Sequence, residues 1–105
     1  MFTRQLTLKL KPNSATALTT TMETTILPLL RKQKGFREEI TFISPERSEA
    51  VAYSIWDTKE DAQAYNHTGY AEMLKTLSNV LEGNPKVETF EVFTSTFPKA
   101  AAKAV

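Results

Sequence analysis

The chain has 105 residues, thirteen basic against twelve acidic, with no cysteine and a single histidine, His67. That length makes one ordinary domain; the missing thiols exclude disulfides, thiolate metal sites and cysteine nucleophiles, and one histidine argues against a histidine-built metal centre. A net charge of +1 gives no electrostatic footprint for nucleic acid or an anionic membrane.

Residues 2–11 alternate, with Phe2, Leu6, Leu8 and Leu10 on one side and Arg4 interrupting them. Thr3, Gln5, Thr7, Lys9 and Lys11 fall on the other side, the pattern of a half-buried strand. The start runs straight into this alternation with no signal-peptide core, and the longest apolar run, residues 26–30, is too short to span a bilayer. A soluble cytoplasmic protein is expected. Asn13 or Ser14 is a natural N-cap for a helix over residues 15–34, whose stripe is Leu18, Met22, Ile26 and Leu29/Leu30. Its other face is rich in threonine (Thr19, Thr20, Thr21, Thr24, Thr25), which reads as a solvated face more readily than as a cavity wall. Pro28 should kink this helix, and Gly35 should cap it.

A second strand is expected over residues 36–44, with Phe36, Ile40 and Phe42 on one side and Arg37, Glu39 and Thr41 on the other. A turn at residues 44–48 leads into a third strand over 49–56, making a hairpin. Residues 57–61 open a second helix with a capping residue three positions before an acid. That helix should break near Thr68 and Gly69, resume with Tyr70, Met73, Leu74, Leu77, Val80 and Leu81, and stop at Gly83-Asn84-Pro85. A last strand over residues 86–97 is apolar at Val87, Phe90, Val92, Phe93 and Phe97. Residues 1–97 thus form one α+β domain, and 98–105 a tail expected to fray.

The order β-α-β-β-α-β predicts a ferredoxin-like fold: a four-stranded antiparallel sheet with helices on one face only. The other face would carry Thr3, Gln5, Thr7, Arg37 and Glu39 from strands one and two, while strands three and four are apolar on both faces. The bare face therefore predicts a homodimer, with a monomer whose last strand curls over its phenylalanines as the alternative.

The run Tyr53-Ser54-Ile55-Trp56-Asp57-Thr58-Lys59-Glu60-Asp61-Ala62, followed by Tyr65 and Tyr70, resembles the antibiotic biosynthesis monooxygenase domain. So do the chain length, the Gly35-Phe36 opening of strand two, and Pro85, Val87, Phe90 and Val92 near the end. The resemblance covers residues 2–97. It implies a dimeric α+β barrel, in which two sheets pack face to face and each subunit keeps a pocket between sheet and helices. Members of that family include cofactor-free oxygenases of aromatic polyketides, quinol oxidases, haem-degrading enzymes and many proteins with no known activity. The haem-degrading subgroup carries Asn, Trp and His at places that fall near Arg4, Tyr65 and Lys75 here, so no haem, and no other cofactor, is expected.

The function expected on this resemblance is cofactor-independent monooxygenation of a small aromatic or quinol, which needs one base to remove a phenol proton. The alternative is a non-catalytic module that binds a small molecule or serves dimerisation. Trp56 closes strand three as an aromatic wall for a planar substrate or, more in keeping with its type, as core. Tyr65, His67 and Tyr70 crowd the helix break; Tyr65 and His67 are the candidates for proton transfer. His67, between the polar Asn66 and Thr68 and without a carboxylate in local sequence, reads more readily as a surface residue. Arg4, Gln5 and Arg37 could hold a carboxylate or phenolate oxygen, or pair at the surface with Glu38 and Glu39. With three glycines in the whole chain and no Gly-rich motif or serine elbow, nucleotide binding and serine hydrolysis are not expected.

Overall fold

Side-chain alternation in the first strand organises the rest of the molecule, for which a computed structural model describes residues 1–96. In β1 (Phe2–Lys9) the side chains of Phe2, Arg4, Leu6 and Leu8 turn to one face and are buried. β1 lies at the centre, between β3 (Glu49–Trp56) and β4 (Lys86–Glu91), and β2 (Phe36–Ile43) pairs with the far edge of β3. All three pairings are antiparallel, and the strand order is β2-β3-β1-β4. This is the expected ferredoxin-like α+β arrangement. The last strand ends at Glu91, short of the expected end at residue 97. Phe97 and the tail 98–105 lie outside the described residues.

The first expected helix is broken into α1 (Ala15–Thr21), a π-helical turn (Met22–Ile26) and α2 (Leu27–Arg31). Pro28 has no N–H to give and its ring crowds the carbonyl four residues back, so the regular ladder cannot run through it. The disturbance appears one turn upstream as the wide π-turn rather than as a simple kink. The threonine hydroxyls fold back on their own helix: Thr19 donates to the Ala15 carbonyl at 3.1 Å and Thr24 to the Thr20 carbonyl at 2.8 Å. Gly35 follows with φ of +79°, and a Cβ there would collide with the Asp61 carboxylate, so the chain reversal into β2 needs glycine.

The second expected helix divides where predicted, into α3 (Lys59–Thr68) and α4 (Tyr70–Leu77) around Gly69. The Asp61 amide donates to the Thr58 hydroxyl at 3.1 Å, capping α3. Gly69 is in ordinary helical backbone; its role is space, since a Cβ would stand 2.8 Å from the Tyr65 ring. Val80 and Leu81 lie past the end of α4 but are buried, and Leu81 bridges to Leu10.

All helical segments cover the face that carries Phe2, Arg4, Leu6, Leu8, Ala50 and Trp56, and Leu18, Ile26, Leu30, Met73 and Leu77 complete the core against it. The register corrects the reading of β2. A β-bulge between Phe36 and Glu38 adds one residue, Arg37, to the strand. Phe36 stays on the inner face opposite Trp56, but every later side chain is reversed. Glu39, Thr41 and Ile43 turn toward the helices, opposite Ser54, Ala52 and Ala50. Ile40 and Phe42 turn to the uncovered face, opposite Tyr53 and Val51. Phe42 is 54% exposed, Ile40 is exposed two residues before it on the same strand, and Phe90 is exposed on the opposite edge strand of the same face. Phe93, expected within the last strand, lies beyond β4 and is exposed. No helix among the described residues is long and apolar enough to cross a membrane.

Candidate functional site

Arg4 sits in the apolar stripe of the central strand and is only 4% exposed. Opposite it stands Ser54 on β3 and Thr89 on β4. Helix α3 places Tyr65 and Asn66 beside it, and the first residue of α4, Tyr70, joins them. The Arg4 guanidinium lies 5.5 Å from the Tyr65 ring centroid and 4.7 Å from that of Tyr70, both cation–π contacts. Its Nη1 donates to Asn66 Oδ1 at 3.0 Å. Nε and Nη2 are buried with no hydrogen-bond partner. Burial pulls the Arg4 pKa down, and the two tyrosines pull it partly back. Arginine stays charged under such shifts.

The tyrosines continue a stack of rings. Tyr65 and Tyr70 meet edge to face at 6.3 Å, Tyr65 stacks on Trp56 at 5.1 Å, and Trp56 meets Phe36 edge to face at 5.6 Å. Burial pushes the Tyr65 hydroxyl up to about 12, against the pull of Arg4, and raises Tyr70 in the same direction. Both are therefore neutral proton donors at ordinary pH.

Two spaces meet at Arg4. On one side, a narrow cavity of about 40 Å³ runs under the helices, walled by Leu6, Leu8, Met22, Ile26, Leu30 and Met73, with Tyr65, Ser54 and Glu39 at its polar end. On the other, a groove of about 240 Å³ lies between α3 and β4, lined by Phe2, Lys59, Ala62, Gln63, Asn66, Val87 and Thr89. An apolar void of about 150 Å³ is what a single benzene ring occupies. The groove has room for a ring and the inner cavity does not.

The expected site residues are thus partly brought together. Arg4, Tyr65 and Tyr70 converge. Trp56 is fully buried, with its Nε1 donating to Ser54 Oγ at 2.9 Å, and forms part of the core behind Tyr65 rather than a cavity wall. His67 is exposed in the last turn of α3 and borders neither space, because it faces away from the sheet between Asn66 and Thr68. Gln5 alternates onto the uncovered face, opposite Tyr53 and Glu88. Arg37 is carried out of the site by the bulge and pairs with Asp57 at 2.9 Å, rather than with Glu38 or Glu39.

Glu39 and Asn66 are the residues that sequence reasoning missed. Asn66 was legible as the neighbour of Tyr65 one helical step on. Glu39 was hidden by the bulge, which brings it from the expected bare face to the inner cavity. Burial raises its carboxyl above the usual glutamate range, and a hydrogen bond from the Thr41 hydroxyl lowers it in part. The folded chain therefore holds this proton more tightly than the unfolded chain. The ionised carboxylate opposes folding above its raised pKa, and the penalty fades as pH falls to the ordinary glutamate value. Glu39→Gln is expected to melt higher than the parent at pH 7, with the gap closing toward pH 4. Melting curves across that range check this; a gap that widens on acidification refutes it. Among the described residues, no cluster of three or more His, Cys, Asp or Glu is placed to hold a metal ion.

No family model matches the chain, and no curated protein matches it. Solved structures do. The ActVA-Orf6 monooxygenase of Streptomyces coelicolor, solved with nanaomycin D, superposes with a TM-score of 0.77 over 93% of this chain and 92% of that one, at 19% identity. The chain has the fold of the antibiotic biosynthesis monooxygenase domain. SnoaB, a cofactor-independent oxygenase from Streptomyces nogalater, matches that domain fold here with a TM-score of 0.71 at 11% identity, over 90% of this chain and 95% of its own. A Nitrosomonas europaea protein of unknown function gives 0.76 at 19% identity, over 94% and 95%. At such identities the shared property is the fold of this monooxygenase domain.

Proposed function

We propose that the chain is a cofactor-independent oxygenase of a small hydroxylated aromatic or quinol, bound in the groove against Arg4. The observation that carries this reading is the buried Arg4 guanidinium, which has no carboxylate partner among the described residues and borders a ring-sized groove. A buried unpaired cation favours an anionic ligand and, with one bound, the ionised form of a ring hydroxyl. That hydroxyl releases its proton to solvent. The electron-rich ring carbon then passes an electron to O₂, and the two radicals join as a peroxide at that carbon. Loss of water leaves a carbonyl, so the ring C–H and the hydroxyl O–H supply the two hydrogens of one H₂O, the second oxygen atom stays as the new C=O, and no outside reductant is needed. The proton donor to the peroxide is the neutral Tyr65 hydroxyl, whose residue lines the inner cavity on the other side of Arg4 from the groove. The narrow apolar cavity behind Arg4 suits O₂ as it would suit any small apolar gas.

The test is O₂ uptake by the metal-free protein with dihydroxyanthracene-like substrates. Uptake is expected, lowered about 10²-fold in Tyr65→Phe and unchanged in His67→Ala. A folded protein that consumes no O₂ across the panel sinks the reading. The result then favours the second reading, a non-catalytic module binding the same class of ligand. One observation supports that alternative: no carboxylate or imidazole lines the groove.

The same reading includes a homodimer closed through the uncovered face. That face carries Ile40, Phe42, Val51, Tyr53 and Phe90, rimmed by Glu38, Lys86 and Glu88 of both signs, which suits a second copy related by a two-fold axis. Native mass spectrometry is expected to show a dimer, and Phe42→Glu a monomer. A parent chain that stays monomeric at high concentration overturns the dimer.

A further inference from the structure

The two buried side-chain polar atoms that lack a hydrogen-bond partner among the described residues are both on Arg4, Nε and Nη2. Their position on the guanidinium matters. The N–H of Nε and one N–H of Nη2 run parallel along one edge of the plane, at the spacing of two carboxylate oxygens. The remaining nitrogen, Nη1, is already bonded to Asn66 Oδ1. Tyr70 and Tyr65 meet the guanidinium through their ring faces, with the Tyr70 centroid at 4.7 Å. Ring faces offer negative charge but no lone pair to an N–H edge. Nor does an acid among the described residues close the edge: their ion pairs are Arg37 with Asp57 and Lys86 with Glu88. A two-toothed, in-plane acceptor is what this site lacks.

We infer that the ligand is an aromatic carboxylic acid, its carboxylate bridging Arg4 Nε and Nη2 and its ring lying in the groove beside Phe2, Ala62 and Val87. This rests on the ring-binding reading above and deepens it by naming the substrate class. A phenolate or quinol has a single oxygen for two parallel donors and leaves one of them short. A phosphate monoester fits two teeth but brings about two negative charges to one buried cation. A carboxylate matches both the geometry and the charge. The groove, at about 240 Å³, holds the ring, while Lys59 and Gln63 line the same space with polar ends.

Calorimetric titration of the full chain with 2-naphthoate, 2-naphthalenemethanol and 2-naphthyl phosphate tests this. None of the three is a substrate for the proposed oxidation, so binding is read apart from catalysis. 2-Naphthoate is expected to bind tighter than the isosteric alcohol by about tenfold or more. Arg4→Met should erase that preference, and Arg4→Lys, which keeps the charge without the fork, should reduce it. Equal affinity for acid and alcohol overturns the inference, as does tighter binding of the phosphate or a preference that survives Arg4→Met. O₂ uptake with neutral quinols but no naphthoate preference removes this inference and leaves the oxygenase reading. A naphthoate preference without O₂ uptake does the reverse.

Discussion

Arg4→Met is expected to raise the melting temperature of the domain. Most substitutions of a fully buried residue destabilise, so the sign is diagnostic. Arg4 is 4% exposed, makes one hydrogen bond and leaves two nitrogens unpartnered. Its two ring contacts return on the order of 1–2 kcal/mol each at best. Taking a guanidinium out of water costs several kcal/mol, and exchanging buried charges for apolar side chains of similar volume is often stabilising by about 1–4 kcal/mol. Methionine is flexible enough to fill the same path between Leu6 and the tyrosines. A gain of about 1–3 kcal/mol corresponds to a rise of several degrees in a domain of this size. Scanning calorimetry of the ligand-free variant checks it. A fall of the same size would mean that Arg4 is a structural residue whose partners outweigh its desolvation. A residue that the fold would be better without is one kept for binding.

Trp56→Ala is expected to cost about 3–5 kcal/mol, the largest single loss in the chain. Trp56 has no exposed surface and is held between Phe36 and Tyr65, with its indole N–H on Ser54. Small domains hold about 5–15 kcal/mol in total, so the variant should unfold at far lower urea and carry some unfolded chain at 37 °C. Trp56→Phe, which keeps most of the ring volume, should lose much less. Denaturation followed by circular dichroism separates the two, since the only tryptophan is the residue replaced. A cost under about 1 kcal/mol for Trp56→Ala would put the side chain outside the core and return it to the ligand wall.

Much of this architecture was readable from residue order. The alternation of Phe2, Leu6, Leu8 and Leu10 marked the central strand, and Thr58 with Asp61 marked the start of α3. Gly69 marked the break before α4, and its steric cause, the Tyr65 ring, is itself a residue of the site. Arg4 was legible as a charge inside an apolar stripe, but sequence alone offered Glu38 and Glu39 as partners for it. What hid the site was local backbone that follows no period. A period-two pattern reads straight through a bulge, so Glu39 was assigned to the wrong face and Phe42 to the core. A period of 3.6 reads straight through a π-turn, so the irregularity was located at Pro28 rather than at Met22–Ile26. The cavity depends on both, since Met22, Ile26 and Glu39 all line it.

The extra residue in β2 also bears on how such a domain can diverge. Inserting or deleting one amino acid at position 37 exchanges the two sides of the six residues that follow, with no side chain altered. A lineage could thus trade Ile40 and Phe42 against Glu39 and Thr41 in one genetic event. Comparison of distant homologues should therefore allow a one-residue gap there; a gapless alignment would match inward positions with outward ones and obscure descent.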